Sequence, residues 1–89
     1  MAYDPKNLSV LAYANGFTLW HYSTNDTATA VAARGYFNPA AHMVRVGDMI
    51  LANVDTAGAP GAGILLINAI ATGIVDAANL TPVGNTDSD

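Results

Sequence analysis

Charged side chains are scarce in this 89-residue chain. Only 11% of its residues are charged and 52% are hydrophobic, whereas about a quarter of the residues are charged in an ordinary soluble domain. Residues 8–25 and 56–75 carry no acidic or basic side chain. A small domain has too much surface for its volume to hide that much uncharged sequence in its own core. We therefore expect other protein to cover part of the surface, which makes assembly rather than catalysis the first hypothesis.

Cysteine and glutamate are absent, and only three residues are basic. Without cysteine, neither disulfides nor thiolate metal sites can stabilise a domain near the lower size limit for independent folding, so oligomerisation is the remaining common route. The shortage of good helix formers disfavours long surface helices. Lys6, Arg34 and Arg45 are too few and too scattered to follow a phosphate backbone. With a net charge of −4, the chain is expected to have no direct nucleic-acid partner.

Long hydrophobic runs are also missing. The most apolar stretch, residues 62–75, is interrupted by Gly63, Asn68, Thr72 and Gly73, and a membrane-spanning helix needs about 20 apolar residues. The first six residues lack the basic start and apolar stretch of a signal peptide. We expect no membrane partner and an intracellular origin.

The remaining patterns predict a mainly β (β-rich α+β) fold, either a small antiparallel β-barrel or a sandwich, with one short α-helix and an extended N-terminal arm. We assign the arm to residues 1–9, a single β-rich domain to 10–82 and a polar acidic tail to 83–89. Within the strand at 17–22, Trp20 and Tyr22 share one face, and Phe17, Leu19 and His21 share the other. The predicted strands are residues 10–13, 17–22, 49–54, 64–68 and 73–76, with 68–72 connecting the last two.

The spacing of apolar residues changes from the alternation of a strand to that of a helix in one segment. Residues 27–34 are rich in alanine at helical spacing, residues 23–26 offer several N-cap side chains, and Gly35 can end the helix. We predict a helix of about two turns there, followed by Tyr36 and Phe37 as a hydrophobic anchor over the core.

Four segments follow one another in a recognisable order. They are Leu19-Trp20-His21-Tyr22-Ser23-Thr24-Asn25-Asp26 (which includes the aromatic strand), the alanine-rich helix, Arg34-Gly35-Tyr36-Phe37-Asn38, and Val44-Arg45-Val46-Gly47-Asp48-Met49-Ile50. Together they cover roughly half of the chain. This ordered set resembles a group of small virion proteins of tailed bacteriophages and prophages.

The resemblance implies a capsid decoration protein of the cement or head-fibre-base kind. Such proteins are small, β-rich and often trimeric, and they lock neighbouring major-capsid subunits on the exterior of the expanded shell. The implied partners are the major capsid protein of the same phage and further copies of this chain, most simply as a homotrimer. The implied location is the virion, after synthesis in the host bacterial cytoplasm.

The two uncharged blocks supply the expected partner interface, because apolar surface gains most from burial against another chain. We further expect the arm, residues 3–11, to become ordered on docking to the shell. The predicted interface residues are Tyr3, Leu8, Val10, Leu11, Trp20, Tyr22, Ile64 and Leu66.

No group of residues has the spacing of a catalytic, cofactor or metal site, so we predict none of these and no enzymatic activity. His21 and His42 lack the companions that a zinc site needs. Asp48, which follows Gly47 directly before a strand, is best explained as a turn carboxylate accepting backbone N–H groups. Asp26, Asp55 and Asp76 lie at predicted element ends, where capping and turn roles explain them. The charged central part of the chain is expected to face water or make polar contacts.

Two other functions stay open at this point. The first is a receptor- or glycan-binding module of a phage tail fibre, in which Trp20, Tyr22, Tyr36 and Phe37 form a platform for sugars. The second is a small β-barrel enzyme or ligand binder, with a closed pocket that holds His21 or Asp48.

Overall fold

A computed structural model describes residues 3–84 as a mainly β domain with one short α-helix, which confirms the predicted class. Five strands lie side by side in chain order, and a sixth pairs with the start of the fourth. Two 3₁₀ turns, Pro5–Asn7 and Asn38–Ala40, complete the fold. The other elements are β1 (Leu8–Ala14), β2 (Phe17–Ser23), α1 (Ala28–Ala32), β3 (Met49–Val54), β4 (Gly61–Ala71), β5 (Ile74–Ala77) and β6 (Thr81–Pro82).

The sheet is mixed, which differs from the antiparallel arrangement that we expected. β2 and β3 are parallel neighbours, with Leu19 opposite Met49 and Ser23 opposite Asn53, while every other pairing is antiparallel. Parallel neighbours need a long crossover connection. Residues 24–48, which include α1 and the second 3₁₀ turn, provide it here. The strand order is open, with β1 and β5 at its two ends.

The crossover covers one face of the sheet and forms the core with it. Val31, Phe37, Ala40 and Val44 of the crossover are buried in one cluster with the inward side chains of the strands. Phe37 is therefore the hydrophobic anchor that the sequence predicted. The buried strand residues of this cluster are Leu8, Trp20, Tyr22, Ile50, Ala52, Val54, Leu65, Ile67, Val75 and Ala77.

Two-residue turns close both terminal hairpins. Asn15 and Gly16 have φ angles of 56° and 83°, and Thr72 and Gly73 have φ angles of 52° and 77°, as the turn that matches the twist of a hairpin requires. The predicted connection at 68–72 is wrong, since β4 continues to Ala71. A bulge between Ile67 and Ala69 shifts the register there without ending the strand.

The helix is shorter than predicted. It begins after Thr27, whose hydroxyl accepts the Ala30 N–H, and it ends at Ala32, since the backbone of Ala33 is already extended. Gly35 lies beyond this end, with a φ of 90°. The alanine pattern located the helix correctly. The chain leaves the helix at Ala33, before Gly35, and turns from there towards Phe37.

The N-terminal arm is part of the fold, so the expectation that residues 3–11 gain order on docking is wrong. Asp4 caps the first 3₁₀ turn by accepting the Lys6 N–H, and β1 begins at Leu8. Tyr3 stacks on Tyr22 with the ring centroids 5.6 Å apart. Of the predicted tail at 83–89, only Val83 and Gly84 fall within the described residues.

Candidate protein-interaction surface

The face of the sheet that points away from the crossover is apolar across four strands. Strand register places Leu19, Met49 and Leu66 in one row and His21, Leu51 and Ile64 in the next. Ala12 and Ala14 of β1 lie opposite Leu19 and Phe17 and extend the same face. We call this surface the outer face. Its members are Ala12, Ala14, Phe17, Leu19, His21, Met49, Leu51, Asn53, Ile64 and Leu66.

Large apolar side chains of the outer face are exposed. Phe17 is 54% exposed, Met49 47% and Leu66 42%, while Leu19, Leu51 and Ile64 are half-buried. A sheet with one solvated face normally alternates apolar and polar residues. Here most of the outward positions of β3 and β4 are apolar, Asn53 being the polar one among the members of this face. In the part of the chain that the structure describes, nothing covers this face.

Charge is absent from the outer face. Its polar members His21 and Asn53 are joined by a hydrogen bond of 2.8 Å between Nε2 and Oδ1, and strand register places Ser9 and Ser23 beside them on the same side of the sheet. These polar groups lie together at one end of the face. The other end, around Phe17, Met49 and Leu66, is wholly apolar.

The loop before β3 shapes the apolar end of the outer face. The Phe17 ring lies against Gly47, where an added Cβ would come within 2.6 Å of ring atom Cε1. Gly47 has a φ of +96°, and its N–H donates to the Ile67 carbonyl. A shallow groove of about 180 Å³ runs beside Phe17, between Ala12 and Met49. The result is a projecting ring next to a depression lined by small residues.

Exposed apolar side chains continue onto β1. Val10 is 57% exposed, Leu11 53% and Tyr13 64%. Val10 and Tyr13 lie opposite Trp20 and Thr18, so they share the inward side of the sheet but stand at its edge. Leu11 is the extra residue of a bulge between Val10 and Ala12.

The structure separates the predicted interface residues into two groups. Leu8, Trp20 and Tyr22 are at most 9% exposed and pack in the core, so assigning them to a partner interface was wrong. Aromatic character did not distinguish core from interface. Tyr3 is half-buried in the aromatic cluster. Val10, Leu11, Ile64 and Leu66 do reach the surface.

Sequence reasoning missed Phe17 and Met49, the most exposed members of the outer face. Phe17 was assigned to the correct face of its strand but not to a surface. The signal was available in the strand phase, because residues that alternate with Trp20 and Tyr22 must point away from the core.

The aromatic side chains form an enclosed cluster around Asp26. Tyr36 donates a hydrogen bond of 2.6 Å to Asp26 Oδ2 and lies 2.9 Å, oxygen to oxygen, from the Tyr22 hydroxyl. The Asp4 N–H donates to that Tyr22 hydroxyl. Burial, followed by the hydrogen bond to Asp26, raises the pKa of Tyr36 above its ordinary value. These groups hold the N-terminal segment and the crossover together.

Asp48 is a fully buried carboxylate with three N–H donors. Oδ1 accepts from the Thr18 backbone, and Oδ2 accepts from the Arg45 backbone and from Trp20 Nε1, all at 3.0–3.1 Å. The predicted turn role is confirmed. Asp26 is 5% exposed and Asp48 0%, so two charges of the central part of the chain lie inside the protein and make polar contacts there.

The remaining titratable side chains do not converge. His42 is exposed, and His21 is occupied by Asn53. A groove of about 580 Å³ is lined by Asp55 among mainly apolar residues, and Asp55 Oδ2 accepts the Ala59 N–H. Within residues 3–84 no three His, Cys, Asp or Glu side chains come close enough to hold a metal ion.

The decisive feature of this molecule is thus an uncovered, charge-free sheet face. Comparisons with protein-family models, curated proteins and solved structures find no match for the chain. Among residues 3–84, no helix has the length and apolarity to cross a membrane.

Proposed function

We propose that this chain is a non-enzymatic virion protein that decorates and stabilises a tailed-phage capsid. It binds the major capsid protein on the exterior of the shell and acts as a homo-oligomer. The resemblance of its ordered motifs to small phage virion proteins supports this function. That resemblance implies a trimer, whereas the open β1 edge of the sheet, described below, favours a dimer. The observation that carries the proposal is the outer face, which is apolar, uncharged and uncovered within the described chain.

Burial of apolar surface supplies the binding free energy in this proposal. Each Å² removed from water contributes about 25 cal/mol, and a shell presents many identical sites, so linked copies gain from avidity. Phe17, Met49 and Leu66 form the centre of the contact because they expose the most apolar surface. The hydrogen-bonded His21–Asn53 pair lies at its rim.

A sugar-binding fibre module is less well supported. The platform predicted for it consists of side chains that the fold encloses. Tyr22, Trp20 and Phe37 are at most 7% exposed, and Tyr36 packs against Phe37 with the ring centroids 5.0 Å apart. A sugar could stack on these rings only after the cluster opened.

Co-sedimentation with expanded capsids that lack this protein tests the proposal. Wild-type chain should pellet with the shells, and Met49→Lys should reduce the bound fraction at least about tenfold, because a desolvated charge costs several kcal/mol. Met43→Lys is the matched control, since Met43 is 40% exposed but lies in the crossover on the opposite side.

The control variant should bind like wild type, and both variants should unfold at similar urea concentrations. Equal binding by Met49→Lys and Met43→Lys would show that the outer face is not the contact. No pelleting of the wild-type chain would refute the proposed function itself.

A further inference from the structure

The two edges of the sheet differ in the state of their backbone groups. At β5, both outward backbone groups of Val75 are occupied. The Gly35 N–H donates to the Val75 carbonyl at 2.8 Å, and the Asn38 side-chain oxygen accepts the Val75 N–H at 2.9 Å. The crossover therefore seals this edge, which is one of the ways in which proteins prevent strands from adding to a sheet.

At β1, the edge is open. Among residues 3–84, no hydrogen bond reaches residues 9–14 from the side that faces away from β2. The strand has no charged residue and no proline, although both commonly protect an edge. Val10, Leu11 and Tyr13 are each more than half exposed along it.

We propose that a second copy of this chain occupies the β1 edge, pairing its own β1 antiparallel to the first about a two-fold axis. In such an arrangement β1 of one copy pairs with β1 of the other, so both copies use the same patch of surface. A head-to-tail arrangement would need the β5 edge, which is sealed. The chain has a net charge of −4, but none of it lies on β1, so two copies meet there without like-charge repulsion at the strand.

The size of the outer face favours this occupant. Strands lie about 4.8 Å apart and same-face residues about 6.7 Å apart, so four strands with three rows give a footprint of roughly 400 Å². A standard interface buries about 800 Å² on each partner. One outer face is therefore too small to form a standard interface with the capsid by itself. The outer faces of two copies, joined in one continuous sheet, together reach that size.

Edge pairing keeps both outer faces available. A two-fold axis perpendicular to the sheet leaves them on the same side, whereas face-to-face packing of two copies would bury the surface proposed for the capsid. This part of the inference rests on the proposed function. The bulge at Leu11 interrupts the pairing midway along β1, so we expect a reversible dimer in the micromolar range rather than a permanent one.

Sedimentation velocity over a wide concentration range tests the pairing with the full chain. The wild-type protein should change from one chain mass to twice the 9.2 kDa of one chain. The double variant Val10→Lys/Tyr13→Lys should raise the dissociation constant at least about tenfold, because it places like charges across the paired strands. Both side chains are exposed, and thermal unfolding verifies that the variant folds.

Hydrogen exchange provides the readout of backbone pairing. Amides of residues 9–14 should exchange more slowly at concentrations where the dimer forms, and the β5 amides should not change. Met49→Lys is the second arm of the experiment. It should keep the dimer and lose capsid binding, so a failure of the capsid proposal leaves the dimer result intact.

Three outcomes would overturn the inference. The first is a monomer at every concentration, and the second is a mass of three chains. The third is a dimer that survives Val10→Lys/Tyr13→Lys but is lost in Met49→Lys, since this would indicate face-to-face packing.

Discussion

Asp48 connects β2 with the loop before β3, two segments that are distant in the sequence. Its carboxylate binds the start of β2, the Trp20 indole and the loop before β3. A buried charge is tolerated only where hydrogen bonds replace its hydration. Asp48 therefore fixes the parallel register of β2 and β3 at the end where the crossover returns to the sheet.

We expect Asp48→Asn to lower the free energy of unfolding by about 2–4 kcal/mol, because an amide presents a donor where the protein offers N–H groups. Urea unfolding followed by tryptophan fluorescence measures this. Asp76→Asn makes the same chemical change at a half-buried strand position without a side-chain hydrogen bond in the described structure. It should change stability by less than about 0.5 kcal/mol, and equal losses would argue against a special role for Asp48.

Tyr36 should make stability depend on pH in the alkaline range. Its pKa in the folded protein lies above the ordinary value because it is buried and donates to Asp26. Below about pH 10 the phenol is protonated in both states and this stabilisation is complete. At higher pH the unfolded chain loses the proton first, so stability falls. Tyr36→Phe should show a smaller fall above about pH 10 in urea titrations, and an equal fall in wild type and variant would contradict this account.

At the scale of single residues, the sequence allowed some roles to be predicted and not others. The turn role of Asp48 followed from its position after Gly47. The burial of Tyr22 and Trp20 did not follow, because aromatic residues suit a core and an interface equally well. Only the tertiary contacts with Tyr3, Tyr36 and Phe37 decide between them.

Among the elements, β6 depends on a single glycine of β4. A Cβ at Gly63 would collide with the Thr81 carbonyl oxygen and come within 2.7 Å of Leu80 Cγ. Gly63→Ala should therefore destabilise the fold by about 1–3 kcal/mol. At Gly61, two residues earlier, the nearest atom would be Val54 Cγ2 at an ordinary 3.8 Å.

Gly61→Ala is thus the matched control for Gly63→Ala. It should be neutral or stabilising by up to about 1 kcal/mol, since alanine restricts the unfolded chain. Thermal unfolding of the two variants should differ clearly. Similar melting temperatures would mean that the β4–β6 contact is loose.

The residues at equivalent positions of the two hairpin turns, Asn15 and Thr72, can each be replaced by the other. Thr72 has a left-handed backbone, which is unfavourable for a β-branched residue, and Asn15 occupies the equivalent position of the first turn. Asparagine tolerates this conformation. We expect Thr72→Asn to stabilise the protein by about 0.5–1 kcal/mol and Asn15→Thr to destabilise it by a similar amount. Calorimetry of both variants measures the pair, and changes of the same sign would contradict this account.

Strand positions were predictable at this scale, but their pairing was not. β3 matched its predicted bounds, because turn residues flank it and its composition is typical of a strand. The parallel pairing of β2 and β3 was overlooked, although a helix and more than twenty residues between two strands are typical of a crossover. A bulge such as the one in β4 leaves no comparable signal in composition, so the end of that strand was misplaced.

For the whole molecule, the distribution of charge should determine the response to salt. No charged residue belongs to the outer face as defined above or to β1, although Asp76 takes an outward position on β5 at the end of the sheet, and apolar burial is not screened. Raising sodium chloride from about 0.05 to 0.5 M shortens the screening length to a few ångströms. Capsid binding and dimerisation should change by less than about threefold over this range. A steep loss in co-sedimentation would instead indicate contacts between charged residues.

The composition predicted that another protein covers part of the surface. The fold shows which apolar surface the single chain leaves exposed and therefore available to such a partner. Scarcity of charge is a property of the whole chain, so it could be assigned only to stretches of sequence. Those stretches contain Trp20 and Tyr22 of the core as well as Phe17 and Leu66 of the outer face. The sheet separates them, because alternate residues of one strand go to opposite faces.

The sealed β5 edge also limits how far association can go. A sheet with two open edges can accept a further copy at each edge, and repeated addition produces a fibre. Asn38 and Gly35 reduce this chain to a single reactive end, so pairing through β1 terminates after one step. Loss of the Asn38 side chain would free the Val75 N–H, one of the two backbone groups that the crossover occupies at this edge, and would weaken the protection against open-ended growth.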